Sequence, residues 1–266
     1  MAIRETVRVT SSDELKDIIE KEYEANKTAA IIDLNFIDVS NLTKLRLPLL
    51  RKFNGYLDIS NWDVSNVTAM DGLFSLANYS ADLSKWDVSN VECMNRMFNG
   101  LKGRISGLRN WNVSKVKDMS YMFKNAEFVP DELEDWDVSN VNDMKGMFKG
   151  ATFGGDISNW NVRNVRTMAS MFEDCKGGLD ENRLKSVVLS KWNVSRVVDF
   201  SRMFKNANSV FDVSKWKIDS AVNFFDTGLD CNEGFDFNKE QLNQKKTIAL
   251  NETDELEKLR GYVLIG

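Results

Sequence analysis

The sequence predicts an α/β repeat stack, and three observations carry that prediction. Seven Trp lie at positions 62, 86, 111, 136, 160, 192 and 216, spaced 24, 25, 25, 24, 32 and 24 residues apart. Each opens the same phrase: WDVSNVTAMDGLF at 62, WDVSNVECMNRMF at 86, WNVSKVKDMSYMF at 111, WDVSNVNDMKGMF at 136, WNVRNVRTMASMF at 160 and WNVSRVVDFSRMF at 192. Apart from Met1, every Met falls in one of two columns, Met70/94/119/144/168 or Met97/122/147/171/203. A fixed period of this kind marks units that cannot bury an apolar face alone and build one elongated core by stacking. With IDVSNLTKL at 37 and the decayed WKIDSAVNFFDTG at 216, the count is about eight units.

The elements follow in chain order. Residues 1–36 precede the repeat and read as an N-terminal cap of strand, helix and strand. Val7-Arg8-Val9 is the first strand. Ser11-Ser12-Asp13-Glu14 is a capping box, and Leu15, Ile18, Ile19 and Tyr23 line one helix face. The apolar run Ala29 to Leu34 feeds the first unit. Residues 37–240 are the repeat. Trp62 and Val64 are two apart, the period of a strand. From Val67 the apolar spacing becomes three, three and one (Met70, Leu73, Phe74), the period of a helix. Each unit is therefore expected to be a short parallel strand, a turn and a short helix, with Ser65 or Asn66 as helix cap. Helices are wider than strands, so the stack should curve with its strands inside. Asn41, Asn66, Asn90, Asn140 and Asn164 share a column and are expected to satisfy turn backbone groups as a ladder. The spacing of 32 places an insertion within 173–186. Residues 241–266 read as the C-terminal cap. With both ends capped, the chain is expected to be a monomer.

Composition narrows the chemistry. The chain has no His, which excludes every Ser-His, Cys-His and His-metal mechanism within it. Net charge −5 and a pI near 5.1 argue against nucleic-acid binding. Three Cys (93, 175 and 231) do not make a disulfide framework. Cys175 shares a column with Ala77, Ala126, Ala151 and Ala207, a buried packing position, whereas Cys93 is expected nearer the surface. No run is long and apolar enough to insert in a membrane, and the opening stretch lacks an apolar signal core, so the expected location is cytoplasmic. Asp230–Asp236 lacks the sixth-position Gly and twelfth-position Glu of a calcium loop. No unit gathers catalytic groups, so the expectation is no enzyme, no metal and no cofactor.

The phrase W-[DN]-V-S-N-V-x-x-M-x-x-M-F resembles the BspA-like leucine-rich-repeat family of bacterial proteins, related repeats of which occur in mycoplasma lipoproteins. The resemblance implies a right-handed leucine-rich-repeat-like solenoid and a role in binding other proteins, often at the cell surface. Val67, Val91, Val116 and Val141 stand where the usual leucine-rich pattern has Asn, which here comes one residue earlier.

Function is then sought in the solvent-facing columns. The seven Trp, at 62, 86, 111, 136, 160, 192 and 216, are assigned to the core (Trp62, Trp86, Trp111, Trp136, Trp160, Trp192, Trp216). The columns just before Trp, just after it and three places on hold five acids and one base in the first five units, and four bases and one acid in the last three. The candidate partner-binding residues are Asp63, Asp87, Asp135 and Asp137 in the acidic half and Arg163, Lys191, Lys215 and Lys217 in the basic half. The expected function is a non-enzymatic protein-binding scaffold using its inner strand surface. A cytoplasmic inhibitor or immunity protein that neutralises a toxin or enzyme is one alternative; a surface adhesion protein, if a leader has been removed, is another.

Overall fold

The computed structural model describes residues 4–46, 51–129, 133–153, 155–177, 186–208, 210–213, 215–218 and 223–228. The chain begins with β1 (Val7–Arg8) and α1 (Ser12–Ala25). The helix starts where the sequence signals it. The Ser11 side chain accepts the Glu14 N–H (3.2 Å), and the Glu14 carboxylate accepts the Thr10 N–H (2.8 Å). It stops at Asn26, whose side-chain amide donates to the Glu22 carbonyl (2.8 Å). Leu15 and Ile19 are buried against the first unit. β2 (Ile31–Asp33) and β3 (Ile37–Asp38) follow, and β1 pairs parallel with β3.

Beyond this segment, each unit pairs parallel with the units before and after it. β2 pairs with β4 (Tyr56–Asp58), β5 (Ala81–Asp82) with β6 (Ile105–Ser106), β7 (Thr152–Phe153) with β8 (Lys176–Gly177), and β9 (Ser186–Val188) with β10 (Val210–Asp212). The Leu108–Asn110 segment is a single 3-10 turn. A second column of parallel bridges runs Lys44, Ala69, Cys93, Asp118, Asp143, Thr167, Asp199 and Asn223.

The strands are not where the sequence places them. In the Trp units they precede the Trp, and Trp-x-Val lies between two turns. The Trp62 N–H donates to the Ile59 carbonyl (3.1 Å) and the Val67 N–H to the Val64 carbonyl (2.9 Å), which closes the backbone locally. Only the first unit, with Ile37 in the Trp place, has a strand there. Alternating burial over three residues needs only a short extended stretch, not a ladder.

The short helix is also corrected. Residues 70–77 form successive turns, with Leu73 N–H to Met70 O (3.4 Å), Ser75 to Gly72 (2.9 Å) and Ala77 to Phe74 (3.2 Å). Four further N–H groups leave the unit. Met70, Gly72, Phe74 and Leu76 donate to the carbonyls of Cys93, Asn95, Met97 and Asn99 in the next unit (2.9, 2.9, 2.8 and 2.7 Å). Met94, Arg96, Phe98 and Gly100 repeat the pattern onto Asp118, Ser120, Met122 and Lys124. A helix would have spent those donors four residues back. The geometry requires left-handed backbone in two columns. Gly72, Arg96, Tyr121, Gly146, Ser170 and Arg202 form one; Leu76, Gly100, Asn125, Gly150, Asp174 and Asn206 form the other, all with φ between 54° and 67°. Ser65 and Asn66 accordingly cap no helix.

The core is the set of columns the repeat announces. The Val, Met and Phe columns are buried, as is every Trp except the half-buried Trp216. Trp62–Trp86, Trp111–Trp136, Trp136–Trp160, Trp160–Trp192 and Trp192–Trp216 stack with centroids 6.3–6.5 Å apart. Phe74, Phe98, Phe123, Phe148, Phe172 and Phe204 stack at 5.3–5.9 Å. The insertion range 173–186 is in register at both ends. Lys176–Gly177 pair with β7 and Ser186 pairs with Val210. Residues 178–185 and the expected C-terminal cap, 241–266, lie outside the described residues.

Candidate protein-binding face

All eight candidate residues, Asp63, Asp87, Asp135, Asp137, Arg163, Lys191, Lys215 and Lys217, are exposed, on turns and linking segments rather than on a strand. The structure divides them by what their side chains already do. Asp63 Oδ1 accepts the Ser65 N–H (3.0 Å) and the Ser65 hydroxyl (2.7 Å); Asp87 accepts the Ser89 N–H and Asp137 the Ser139 N–H (3.0 Å each). Asn112, Asn161 and Asn193 accept the N–H of Ser114, Arg163 and Ser195 in the same way (3.1, 3.4 and 3.2 Å). The column is a row of Asx turns, in which a short side chain takes the N–H two residues on. That explains why Asp and Asn alternate in it freely: both offer the Oδ1 acceptor. In the first unit Asp38 does this for Ser40 and also pairs with Arg8 (2.8 Å); the Ser40 hydroxyl and Arg8 hold its carboxyl down at about 2. The Ser89 bonds hold Asp87 below the usual carboxylate range. Asp135 belongs to an exposed pair with Arg109 (3.8 Å), whose guanidinium also reaches Glu134 (2.5 Å).

The basic half is different. Arg163, Lys215 and Lys217 make no ion pair among the described residues, and Lys191 donates only to the neutral Asn159 side chain (3.1 Å). Two further cations stand with them that sequence reasoning missed, Arg166 and Arg196, both exposed. Arg196 donates to Asn164 Oδ1 (2.9 Å). The signal was available: Arg196 and Lys115 occupy the Asn column, and Lys115 likewise donates to Asn90 (2.6 Å). The Asn ladder forms at four of its five expected places, with Asn66, Asn90, Asn140 and Asn164 donating to the carbonyls of Ser40, Ser65, Ser114 and Ser139 (2.7–2.9 Å).

Two more Asx columns also escaped the sequence reading. Asp58, Asp82 and Asp156 accept the N–H of Ser60, Ser84 and Ser158; Asp118, Asp143 and Asp199 accept those of Ser120, Lys145 and Ser201. An Asp four places before Trp62, Trp86 and Trp160, and seven places after Trp111, Trp136 and Trp192, marks them. The cysteines are placed by the same columns. Cys175 is buried, and burial pushes its thiol up to about 12. Cys93 is half-buried; burial, and the Asp71 carboxylate that accepts its hydrogen (2.7 Å), push it up to about 12 as well. Both therefore stay protonated at neutral pH and are poor nucleophiles. The possible calcium loop at 230–236 lies outside the described residues. No helix among the described residues is long and apolar enough to cross a membrane.

Comparison with known proteins returns one family. The model of "Mycoplasma protein of unknown function, DUF285" matches residues 17–128, 102–177 and 126–244, three overlapping segments that together span most of the chain. The chain belongs to the DUF285 family. The repeated match fits a repeat protein, in keeping with the periodic columns of this DUF285 chain. No curated protein and no solved structure matches it.

Proposed function

We propose that this DUF285 protein is a non-enzymatic protein-binding scaffold, a leucine-rich-repeat-like solenoid of the BspA-like kind that presents the exposed face beside the Trp columns to a protein partner. One observation carries the reading. The repeated columns are used up in holding the stack: Trp, Val, Met and Phe in the core, Asp and Asn in Asx turns, Asn in the ladder. The side chains left over, just before the Trp and where a unit departs from the Ser or Asn of the repeat, vary from unit to unit and gather bases in the last three units (Arg163, Lys191, Arg196 and Lys215). Variation confined to a solvent face is what a recognition surface on a repeat scaffold requires.

The test separates charge from fold. Asp63→Asn, Asp87→Asn and Asp137→Asn together remove three charges and keep the Oδ1 acceptor each Asx turn needs. Protein photo-crosslinked in its native cells, through probes at the Asn61 and Asn159 positions, is expected to yield a discrete partner band. Wild-type protein that crosslinks to nothing from either probe overturns the scaffold reading. If the triple Asn variant crosslinks as well as wild type, the acidic half serves the turns alone.

A further inference from the structure

We infer that the exposed basic surface formed by Arg163, Arg166, Lys191 and Arg196 on two neighbouring units, with the exposed Val198, is a docking site for an acidic polypeptide segment carrying an apolar side chain. It rests on the scaffold reading and narrows it to one end of the face and one class of partner.

Placement comes first. Arg163 and Arg166 belong to the Trp160 unit and Lys191, Arg196 and Val198 to the next, and the two units are held in register by Val198 N–H to Arg166 O (2.9 Å) and by the Thr167–Asp199 bridge. Charge comes second. In the earlier units Lys117, in the Arg166 column, pairs with Glu92 (2.7 Å), while Lys85 and Lys115, in the Lys191 and Arg196 columns, donate to the neutral Asn61 and Asn90 (2.9 and 2.6 Å), and Lys115 acts on the nearby Asp87 and Glu92 carboxylates. In the later two units the Asp87 and Glu92 places hold Asn161 and Asn193, and Arg166 and Val198, instead. Asp199 accepts the N–H of Ser201, and Asp156 that of Ser158. Asp156 feels the charge of Lys191 but does not come within ion-pair distance of it. Four cations thus stand free of ion pairs among the described residues, in a chain whose net charge is −5. Lys215 and Lys217 extend the same surface. Third, the surface adjoins an exposed apolar side chain: Val198 is 48% exposed, in the column where Arg166 stands one unit earlier and bonded to it through the backbone.

These features favour a polypeptide over a nucleic acid. A single strand would be held by aromatic platforms, but Trp160 and Trp192 beneath this surface are buried and stacked on each other (6.5 Å) with their indole N–H groups spent on carbonyls. An exposed Val on units that carry unpaired guanidinium groups suits an acidic segment with a Leu or Val, which gains apolar contact from the one and charge-assisted hydrogen bonds from the others.

Fluorescence anisotropy with a labelled peptide of repeating Glu-Asp-Leu-Glu tests this on the full chain, beside a labelled oligo-dT strand of equal charge. Wild-type protein is expected to bind the peptide, more weakly as salt rises. Arg163→Glu with Arg166→Glu and Arg196→Glu should weaken binding by about tenfold or more. The corresponding Gln triple variant should fall between, and serves if the Glu variant does not fold. Asp63→Asn with Asp87→Asn and Asp137→Asn should leave peptide binding unchanged. Peptide affinity that survives the Gln and Glu substitutions overturns the site, as does tighter binding of oligo-dT. A native partner that still crosslinks to the Glu variant from the Asn61 probe also overturns this site, while leaving the scaffold reading intact.

Discussion

At the residue scale the indole N–H explains why the column is Trp and not merely aromatic. Each Trp Nε1 donates to the carbonyl of the Leu or Ile that opens the preceding unit's turn: Trp62 to Leu34, Trp86 to Ile59, Trp111 to Leu83, Trp136 to Leu108, Trp160 to Leu133, Trp192 to Ile157 and Trp216 to Leu189, at 2.7–3.2 Å. The same carbonyl already accepts a backbone N–H of its own unit; Leu108 O takes the Trp111 N–H (3.1 Å) as well as the Trp136 indole (2.9 Å). One carbonyl thus uses both lone pairs, one to close its turn and one to tie two units together. Trp136→Phe keeps an aromatic ring in the stack and deletes that tie. It should lower stability by about 2–4 kcal/mol, the sum of a lost buried hydrogen bond and a small cavity. Urea unfolding followed by far-UV circular dichroism measures it. A loss well under 1 kcal/mol would mean that the indole bond contributes nothing beyond ring packing.

At the element scale the turn segment decides between two local structures with the same apolar spacing. In a helix, Gly replacing Leu at a solvent-facing position costs about 1 kcal/mol. Here Leu76 sits at φ 61° and is 47% exposed, a backbone region that L side chains pay to enter. Leu76→Gly should therefore be neutral or stabilising by up to about 1 kcal/mol. Gly150→Ala, at φ +65° with a new Cβ 2.3 Å from Asn125 Oδ1, should destabilise by about 1–2 kcal/mol. Thermal melts of the two variants against wild type check both signs; a destabilised Leu76→Gly would favour the helix. The sequence carried part of this. Buried columns were legible because burial repeats with the unit, and the Asn ladder because a polar residue repeated beside buried turns needs a backbone partner. The helix was misread because turns closed three residues back leave apolar side chains at spacings of three and four, as helices do. The corrective was a column in which Gly100, Asn125, Gly150, Asp174 and Asn206, residue types that favour or tolerate left-handed backbone, follow Leu76 at unit spacing, which no helix interior would repeat. The acidic half of the face misled for a related reason: a carboxylate that serves its own turn looks in sequence like one that serves a partner.

At the scale of the whole molecule the hydrogen bonds between units have a direction. In the turn segments, four N–H groups of each unit point to the next unit, from Met70, Gly72, Phe74 and Leu76 onward to Met168, Ser170, Phe172 and Asp174, which donate to Asp199, Ser201, Met203 and Lys205. Every interface offers the same donors to the same acceptors, so any unit should accept any other as its neighbour, provided whole units are kept. Removing residues 112–136 joins Trp111 directly to Asp137 and restores the phrase WDVSNVNDM with all columns in register. That shortened chain should fold, with its thermal midpoint lowered by roughly a few degrees, because stability in such arrays is close to a sum over units and their interfaces. Removing residues 112–123 instead brings Lys124 to the place of Asn112 and leaves one unit without its Val116, Met119, Met122 and Phe123 places, so the stack is broken at that point and a single cooperative melt should be lost. Equal behaviour of the two deletions would break the stacking model; the predicted contrast would show that recognition can be rewritten one unit at a time, with Arg163, Arg166 and Arg196 carried on units that the deletion leaves in place.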